Sequence, residues 1–546
     1  MEAHGVDAPA LSLRTPRAAR VRDALLMRAR PTVRELALYA AGLGVLALAV
    51  FFSHVQHGGF VLDDWSNRTS YLYTKPHGPF GFITAFFDRL PLSRPGLSSY
   101  LVLTQQLFGL HMKLYLAFAV SVGWLLSVEL YLLARLVRIQ PLHAGVMAAL
   151  VLVLPASDST RLYAGATFVE LVVVLFAAGL LLGLLSLRRG PLPAVGAVVL
   201  WALAWSMHET AAAAILVAVV ALCVVAARRG DRRVAWVFGA TLLAAPLLAL
   251  LHPFDSPQSF GTSMSHIGTI MRQSGTVLAR SALPFGQPAS ELVVIVLAAI
   301  AVAGVIAALR WSADRPGRAA LLGWLALAGV SAAIVVIAYI PYIPSDPTWY
   351  EPLSAGPSNR INALAGIGYV GLVYGLGGVV VTLAVGRRAL LSAVLPAILA
   401  LVVGAGYVHQ LSSDAARWDR AFALEEQALT TVKGTLPHPP HGTVIYMFGH
   451  RPNVGHGVPV FQTNWDLNAA IRLTYDDKTL AGVPVVPGTD IVCRADEMYP
   501  TGNGYDPGYA DGYGGQVFVN VATGFSQRIR DQDACRTRGS RFWVGG

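Results

Sequence analysis

The stretch Leu36-Ala37-Leu38-Tyr39-Ala40-Ala41-Gly42-Leu43-Gly44-Val45-Leu46-Ala47-Leu48-Ala49-Val50-Phe51-Phe52 holds no charged residue. As a helix it is about long enough to cross a bilayer. Residues 1–35 before it are polar and Arg-rich, and no small-residue cleavage site follows, so it reads as a retained helix rather than a removed signal peptide. Further apolar stretches of spanning character run over 111–137, 142–156, 165–187, 192–207, 210–227, 234–251, 290–309, 319–341, 361–384 and 389–410. The segment 95–110 suits either a tilted span or a helix lying on the membrane. The chain therefore reads as a polytopic α-helical membrane protein of about eleven transmembrane helices.

Composition agrees. Of 546 residues, 55% are hydrophobic and 13% charged, with a mean hydropathy of +0.55; soluble domains carry about 25% charged residues. The net charge of +10 does not point to nucleic acid, because no nucleic-acid-binding motif accompanies it. The arginines instead fall in short runs between apolar stretches: Arg135 and Arg138, Arg188-Arg189, Arg228-Arg229 with Arg232-Arg233, Arg310 to Arg318, and Arg387-Arg388. With the N-terminus in the cytoplasm, each run lies on the cytoplasmic side, the positive-inside pattern. The loop 54–110, Ser157 to Tyr163, His208-Glu209, 252–289 and 342–360 then lie outside. A bacterial inner membrane is the expected location. Within the first loop, the aromatic stretch Pro76 to Phe87 resembles a helix in the interface plane, and 252–289 looks partly helical and amphipathic.

After about residue 411, Gly, Asp, Asn and Pro become frequent. Thr443 to Phe448 and Gln516 to Val521 read as strands and Leu467 to Leu473 as a short helix. Residues 412–546 are expected to form a small extracytoplasmic α/β domain, beyond a membrane domain at 36–411 and a cytoplasmic segment at 1–35. Gly502 to Gly508 and Gly512 to Gly515 read as loops, not phosphate cradles. Cys223 reads as a packing residue. Cys493 and Cys535 would lie in an oxidising compartment, which favours a disulfide over two free thiols.

Just past the first span comes Val61-Leu62-Asp63-Asp64-Trp65. A carboxylate at the membrane surface can take a proton from an acceptor hydroxyl. The pair could also share a divalent cation, or cap the short helix that begins near Trp65. Farther on lie Leu92-Ser93-Arg94-Pro95-Gly96, Phe108-Gly109-Leu110, Trp205-Ser206-Met207-His208-Glu209-Thr210 and Pro357-Ser358-Asn359-Arg360-Ile361-Asn362.

Together these motifs and this layout resemble the GT-C superfamily of membrane glycosyltransferases, in particular its protein O-mannosyltransferase-like and tetratricopeptide-linked mannosyltransferase branches. The likeness covers about the first 410 residues in layout, through short motifs, and no tetratricopeptide repeat is seen. It departs at His208, where those enzymes carry a Lys. It implies an inverting transfer of a hexosyl or pentosyl group from a polyprenyl-phosphate donor at the outer face. The acceptor would be a glycan, a glycolipid or a protein. Asp63 would be the base and Asp64 its neighbour, with Arg94, His208, Glu209 and Arg360 binding substrate; Arg offers a bidentate fork to phosphate. No cofactor is required by the likeness, although the carboxylate pair admits a divalent cation.

Plainer readings stand beside these. Arg94 and Arg360 could anchor helix ends at the interface. Glu209 could sit in a solvated turn, though an ionisable group near membrane depth is a functional hypothesis by default. Asp158 with Arg161 reads as a surface ion pair of small value. His54, His57 and His77 fit no metal-site spacing and read as loop residues. Asn67-Arg68-Thr69 matches the glycosylation acceptor pattern, and Asp476-Asp477 a turn. Two other functions compete: a transporter or flippase, disfavoured by few charges within the spans and no interrupted-helix repeat, and a non-catalytic envelope assembly protein acting through residues 412–546.

Overall fold

The computed structural model describes residues 31–74, 94–251, 259–286, 289–312, 317–346, 350–385, 389–455, 457–502 and 511–542. Residues 1–30, the aromatic stretch Pro76 to Phe87 with His77, the linker 252–258, Arg387-Arg388 and the loop 503–508 lie outside them.

Each apolar stretch above forms a helix over most of its length. In chain order the helices are α1 (Val33–His57), α2 (Asp63–Thr74), α3 (Pro95–Phe108), α4 (Met112–Leu136), α5 (Pro141–Leu152), α6 (Thr167–Arg189), α7 (Pro191–Met207), α8 (Ala212–Arg228), α9 (Arg232–Leu251), α10 (Phe260–Ala282), α11 (Ser290–Arg310), α12 (Arg318–Tyr339), α13 (Ala363–Val385) and α14 (Ala389–Thr435). Eight segments among the described residues are long and apolar enough to cross a membrane, and α5 and α7 are shorter apolar helices. The protein is a polytopic membrane protein with a strand-containing C-terminal region. Local chemistry sets the helix starts. Pro95, Pro141 and Pro191 occupy first-turn positions, where a missing N–H costs nothing. Thr32 and Ser259 accept backbone N–H groups at the starts of α1 and α10.

Two boundaries differ from the sequence reading. The span expected over 142–156 stops at Leu152, because Pro155 interrupts it and Arg161 takes over its last carbonyls. The guanidinium donates to Val151 O at 3.1 Å, to Leu154 O at 3.0 Å and to Leu152 O. The domain boundary expected at 411/412 falls inside α14. Apolar composition ends there, but helical periodicity does not: Tyr407, Leu411, Trp418, Ala421, Phe422, Leu429 and Val432 are all buried. This is the i, i+3/i+4 stripe of an amphipathic helix.

Beyond α14, the chain builds a four-stranded sheet. Its strands are β1 (Val444–Phe448), β4 (Ala481–Pro484), β8 (Gln516–Asn520) and β9 (Phe525–Ile529), in the order β4-β1-β8-β9; β2 (Asn453–Val454) pairs with β3 (Val458–Pro459), and β5 (Asp490–Cys493), β6 (Glu497–Thr501) and β7 (Asp511–Gly512) form a third sheet. β1 runs parallel to β4 and β8, and β9 antiparallel to β8. Helix α15 (Asn464–Tyr475) packs on β4, and α16 (Gln532–Phe542) follows β9. A parallel central strand is buried on both faces. Ile445, Met447, Val517 and Val519 join the core shared with the helix bundle, while Tyr446, Phe448 and Phe518 form a second cluster with Val483. Cys493 and Cys535 form a disulfide. Cys223 is a free, half-buried thiol.

Candidate functional site

The first connection sets the geometry at one end of the bundle. Phe60 and Val61 are buried, and Gly59 lies so close to the Phe422 ring that a Cβ there would overlap it. Leu62 then takes a positive φ of 50°, a conformation that costs a non-glycine residue about 1–3 kcal/mol. That turn starts α2 at Asp63 and gives the two carboxylates different surroundings. Asp64 is fully buried. Its Oδ2 accepts the Val61 N–H at 3.3 Å, and burial pushes its pKa up from 3.8 to about 7, against the pull of Arg68. Arg68 is itself buried, donating to Gln105 at 2.7 Å and stacking 3.6 Å over the Tyr115 ring. Asp64 therefore ties the turn together. Asp63 is half-buried, and its Oδ1 accepts the Trp465 indole N–H at 2.9 Å.

Arg94, His208 and Glu209 meet at the same end. Gly96, two residues after Arg94, lets α3 press against Ser206 and Met207 at the end of α7. Arg94 Nη2 lies 3.2 Å from Glu209 Oε2 and donates to Tyr350 OH at 3.3 Å. His208 Nε2 is 3.5 Å from Glu209 Oε1, and its Nδ1 is 2.7 Å from the Thr210 hydroxyl, which in turn bonds Tyr342 at 2.8 Å. Burial pushes the His208 imidazole down to about 4, so it stays neutral and does not replace the lysine charge of the resembled family. Tyr342 and Tyr350 stack at 5.5 Å. Helix α10 buttresses this loop: His266 lies 3.2 Å from Tyr350 O, and Gln273 donates to Glu351 at 2.7 Å.

Arg360 sits in the 3₁₀ turn Pro357–Asn362, between two buried asparagines that lock the backbone. Asn359 donates to Asp158 at 2.6 Å and accepts the Ser159 N–H. Asn362 donates to Ala156 O and Leu353 O at 2.8 and 2.7 Å. Among the described residues Arg360 is half-buried and makes no hydrogen bond or ion pair. Its charge acts on Tyr163, His208, Tyr342 and Tyr350. Tyr163 links the two halves of the site. It is fully buried and stacked on Trp418 at 5.6 Å. The charges acting on its hydroxyl are Asp63, Asp64 and Arg360. Asp63 lies close enough to interact with that hydroxyl, but among the described residues no partner meets it with good hydrogen-bond geometry, which in a buried polar group needs an explanation.

Beneath this cluster lies an apolar cavity of about 270 Å³ between α4, α6, α8, α12 and α13. Ala214, Ile337 and Leu364 line one part of it, each within five residues of Glu209, Tyr342 or Arg360. Ala221 and Leu133 line it deeper in the bundle.

Several residues behave otherwise than the sequence suggests. Arg161 and Asp158 are fully buried rather than a surface pair; Arg161 Nε is 3.7 Å from Glu170. His54 is buried in the last turn of α1, 2.6 Å from Asp419 and 2.9 Å from Leu162 O. Thr69 of the glycosylation pattern is buried, with its hydroxyl donating to Trp65 O and Ala469 O. Tyr163, Tyr350 and Trp465 are the site residues that sequence reading missed. The Tyr and Pro residues of Tyr339 to Tyr350 and the lone Trp465-Asp466 in a Gly-rich region were the available signals. Among the described residues no group of three or more His, Cys, Asp or Glu could hold a metal ion. The chain matches no protein-family model and no curated protein.

Proposed function

We propose that the protein is a membrane glycosyltransferase of GT-C type that moves a sugar from a polyprenyl-phosphate donor to an acceptor hydroxyl. The reaction belongs to the end of the bundle that bears Asp63, taken as the outer face, with about eleven spans beneath it. The observation that carries this reading is that a half-buried carboxylate, Asp63, and a cation with no hydrogen bond or ion pair among the described residues, Arg360, both act electrostatically on the buried Tyr163 hydroxyl. A base and a phosphate-binding cation are what the transfer needs.

In this reaction Asp63 accepts the proton of the acceptor hydroxyl as its oxygen attacks the anomeric carbon. The anomeric C–O bond to phosphate breaks on the opposite face, and its electron pair leaves with the lipid phosphate. The configuration inverts. Arg360 stabilises the charge gathering on that phosphate. Arg94 is already paired with Glu209, so it orients Tyr350 and the donor pocket rather than carrying the phosphate alone. The apolar cavity supports a lipid-linked donor, because its lining, which includes Leu364 four residues past Arg360, suits an isoprenoid chain.

The test is transfer by purified full-length protein in proteoliposomes supplied with polyprenyl-phosphate sugars. Asp63→Asn should lower kcat by about 10²–10⁴, the usual worth of a general base, while the protein still inserts. Full activity in that variant would overturn the assignment. Movement of lipid across the bilayer with no sugar transfer would establish the flippase alternative.

A further inference from the structure

A second cavity, of about 350 Å³, lies at the end of α6 away from the candidate site. Leu132 and Leu136 of α4, which packs along α6, form one wall. Leu181, Leu185 and Arg188 of α6 form the other. Spaced at i, i+4 and i+7, these three share one helix face, so the apolar wall gives way to a cation in the last turn. Arg229, the residue that caps α8, also lines the cavity. Its Nη1 lies 3.5 Å from Leu187 O, which sets the guanidinium against the end of α6. No acidic residue is part of this lining. Among the described residues Arg188 makes no hydrogen bond or ion pair and Arg229 makes that one bond; both are exposed. A guanidinium carries five N–H donors, so nearly all of the donors of this pair are uncommitted.

We propose that this cavity binds one anionic phospholipid, with an acyl chain between the leucines of α4 and α6 and the phosphate on Arg188 and Arg229. From Leu181 to Arg188 the helix rises about 10 Å, which puts the apolar lining and the arginines in the order of a lipid tail and its headgroup. Charge complementarity selects the occupant. Arginine takes phosphate oxygens through a bidentate fork, and basic pockets between transmembrane helices suit anionic headgroups. A zwitterionic lipid brings an ammonium that cancels part of the attraction. An apolar helix of a second copy would cover two cations without a counter-charge, which is costly. The site belongs to the leaflet at the Arg-rich end of the bundle, whichever side of the membrane that is, and it is independent of the transfer reading.

The experiment is native mass spectrometry of delipidated full-length protein in detergent, titrated with palmitoyl-oleoyl phosphatidylglycerol or with the phosphatidylcholine of the same chains. One phosphatidylglycerol should bind ahead of any phosphatidylcholine. Arg188→Gln combined with Arg229→Gln should weaken phosphatidylglycerol about thirtyfold, the joint worth of two basic residues at an anionic membrane surface, and leave phosphatidylcholine unchanged. Arg310→Gln combined with Arg318→Gln removes the same charge outside the cavity and should leave both lipids unchanged. Leu185→Trp fills the space meant for the chain and should weaken both lipids alike. The arginine substitutions alter side chains outside the core, so the test stands even if Leu185→Trp does not fold. No retained phosphatidylglycerol, equal affinity for the two lipids, equal loss in the two arginine pairs, or a lipid-free dimer would each overturn the proposal, as would full binding by a folded Leu185→Trp variant.

Discussion

Asp63 and Asp64 are adjacent in the chain and opposite in environment. The turn at Leu62 buries one side chain and leaves the other within reach of solvent. Asp64 holds its proton to about pH 7 in the folded chain, against an ordinary value of 3.8. Its stabilising contribution is therefore full below about 4 and is lost as pH rises toward 7, because the folded state binds the extra proton across that window. Asp466, also raised to about 7 by burial, acts in the same direction. Asp64→Asn should flatten the fall in melting temperature between pH 5 and 8, as measured by thermal unfolding in detergent at stepped pH. At Gly96 a different effect operates. An alanine Cβ would collide with Ser206 and Met207, so Gly96→Ala should push α3 off α7 and destabilise by about 1–3 kcal/mol, the range for overpacking. A melting temperature equal to that of the parent protein would show that the helices have room to part.

At the scale of elements, the junction of α2 with α15 joins the membrane part to the C-terminal region. Thr69→Val and Tyr73→Phe each remove one of its hydrogen bonds, worth about 0.5–1.5 kcal/mol apiece. Hydrogen exchange over Asn464–Tyr475 should quicken in both variants, and the change should be larger in the double variant. The disulfide of Cys493 with Cys535 closes a sequence separation of 42. Its loss in Cys535→Ser should cost about 2–4 kcal/mol, seen as a lower melting temperature that reductant does not change further. Element identity was legible in the chain because long apolar runs and alternating strands leave strong periodic signals. The end of α14 was hidden, since past residue 411 burial continues on a helix whose other faces are polar. The candidate site was legible only where charges stand out of apolar surroundings, as with Asp63, Arg94, Glu209 and Arg360. Tyr163 and Trp465 gain their meaning from neighbours 100 and 402 positions away, a relation that no local pattern encodes.

At the scale of the molecule, Arg188, Arg228 and Arg318 lie at the ends of their helices away from the candidate site, and orientation can be tested directly. In a Cys223→Ser background, a cysteine introduced at His441 should react with a membrane-impermeant thiol reagent added to intact cells. One at Arg188 or Arg229 should react only after permeabilisation. The reverse pattern would turn the assigned topology over.

Helix α14 has a further consequence. At a rise of about 1.5 Å per residue, its 47 residues measure about 70 Å, more than twice the hydrocarbon thickness of a bilayer of about 30 Å. The same rod that is anchored among lipid tails carries Phe422 against Gly59 and Glu425 against the Trp65 indole at 2.7 Å. It works as a surveyor's staff. The distance of Asp63 from the apolar part of that rod is set by the spacing of peptide units, not by the slack of a tether.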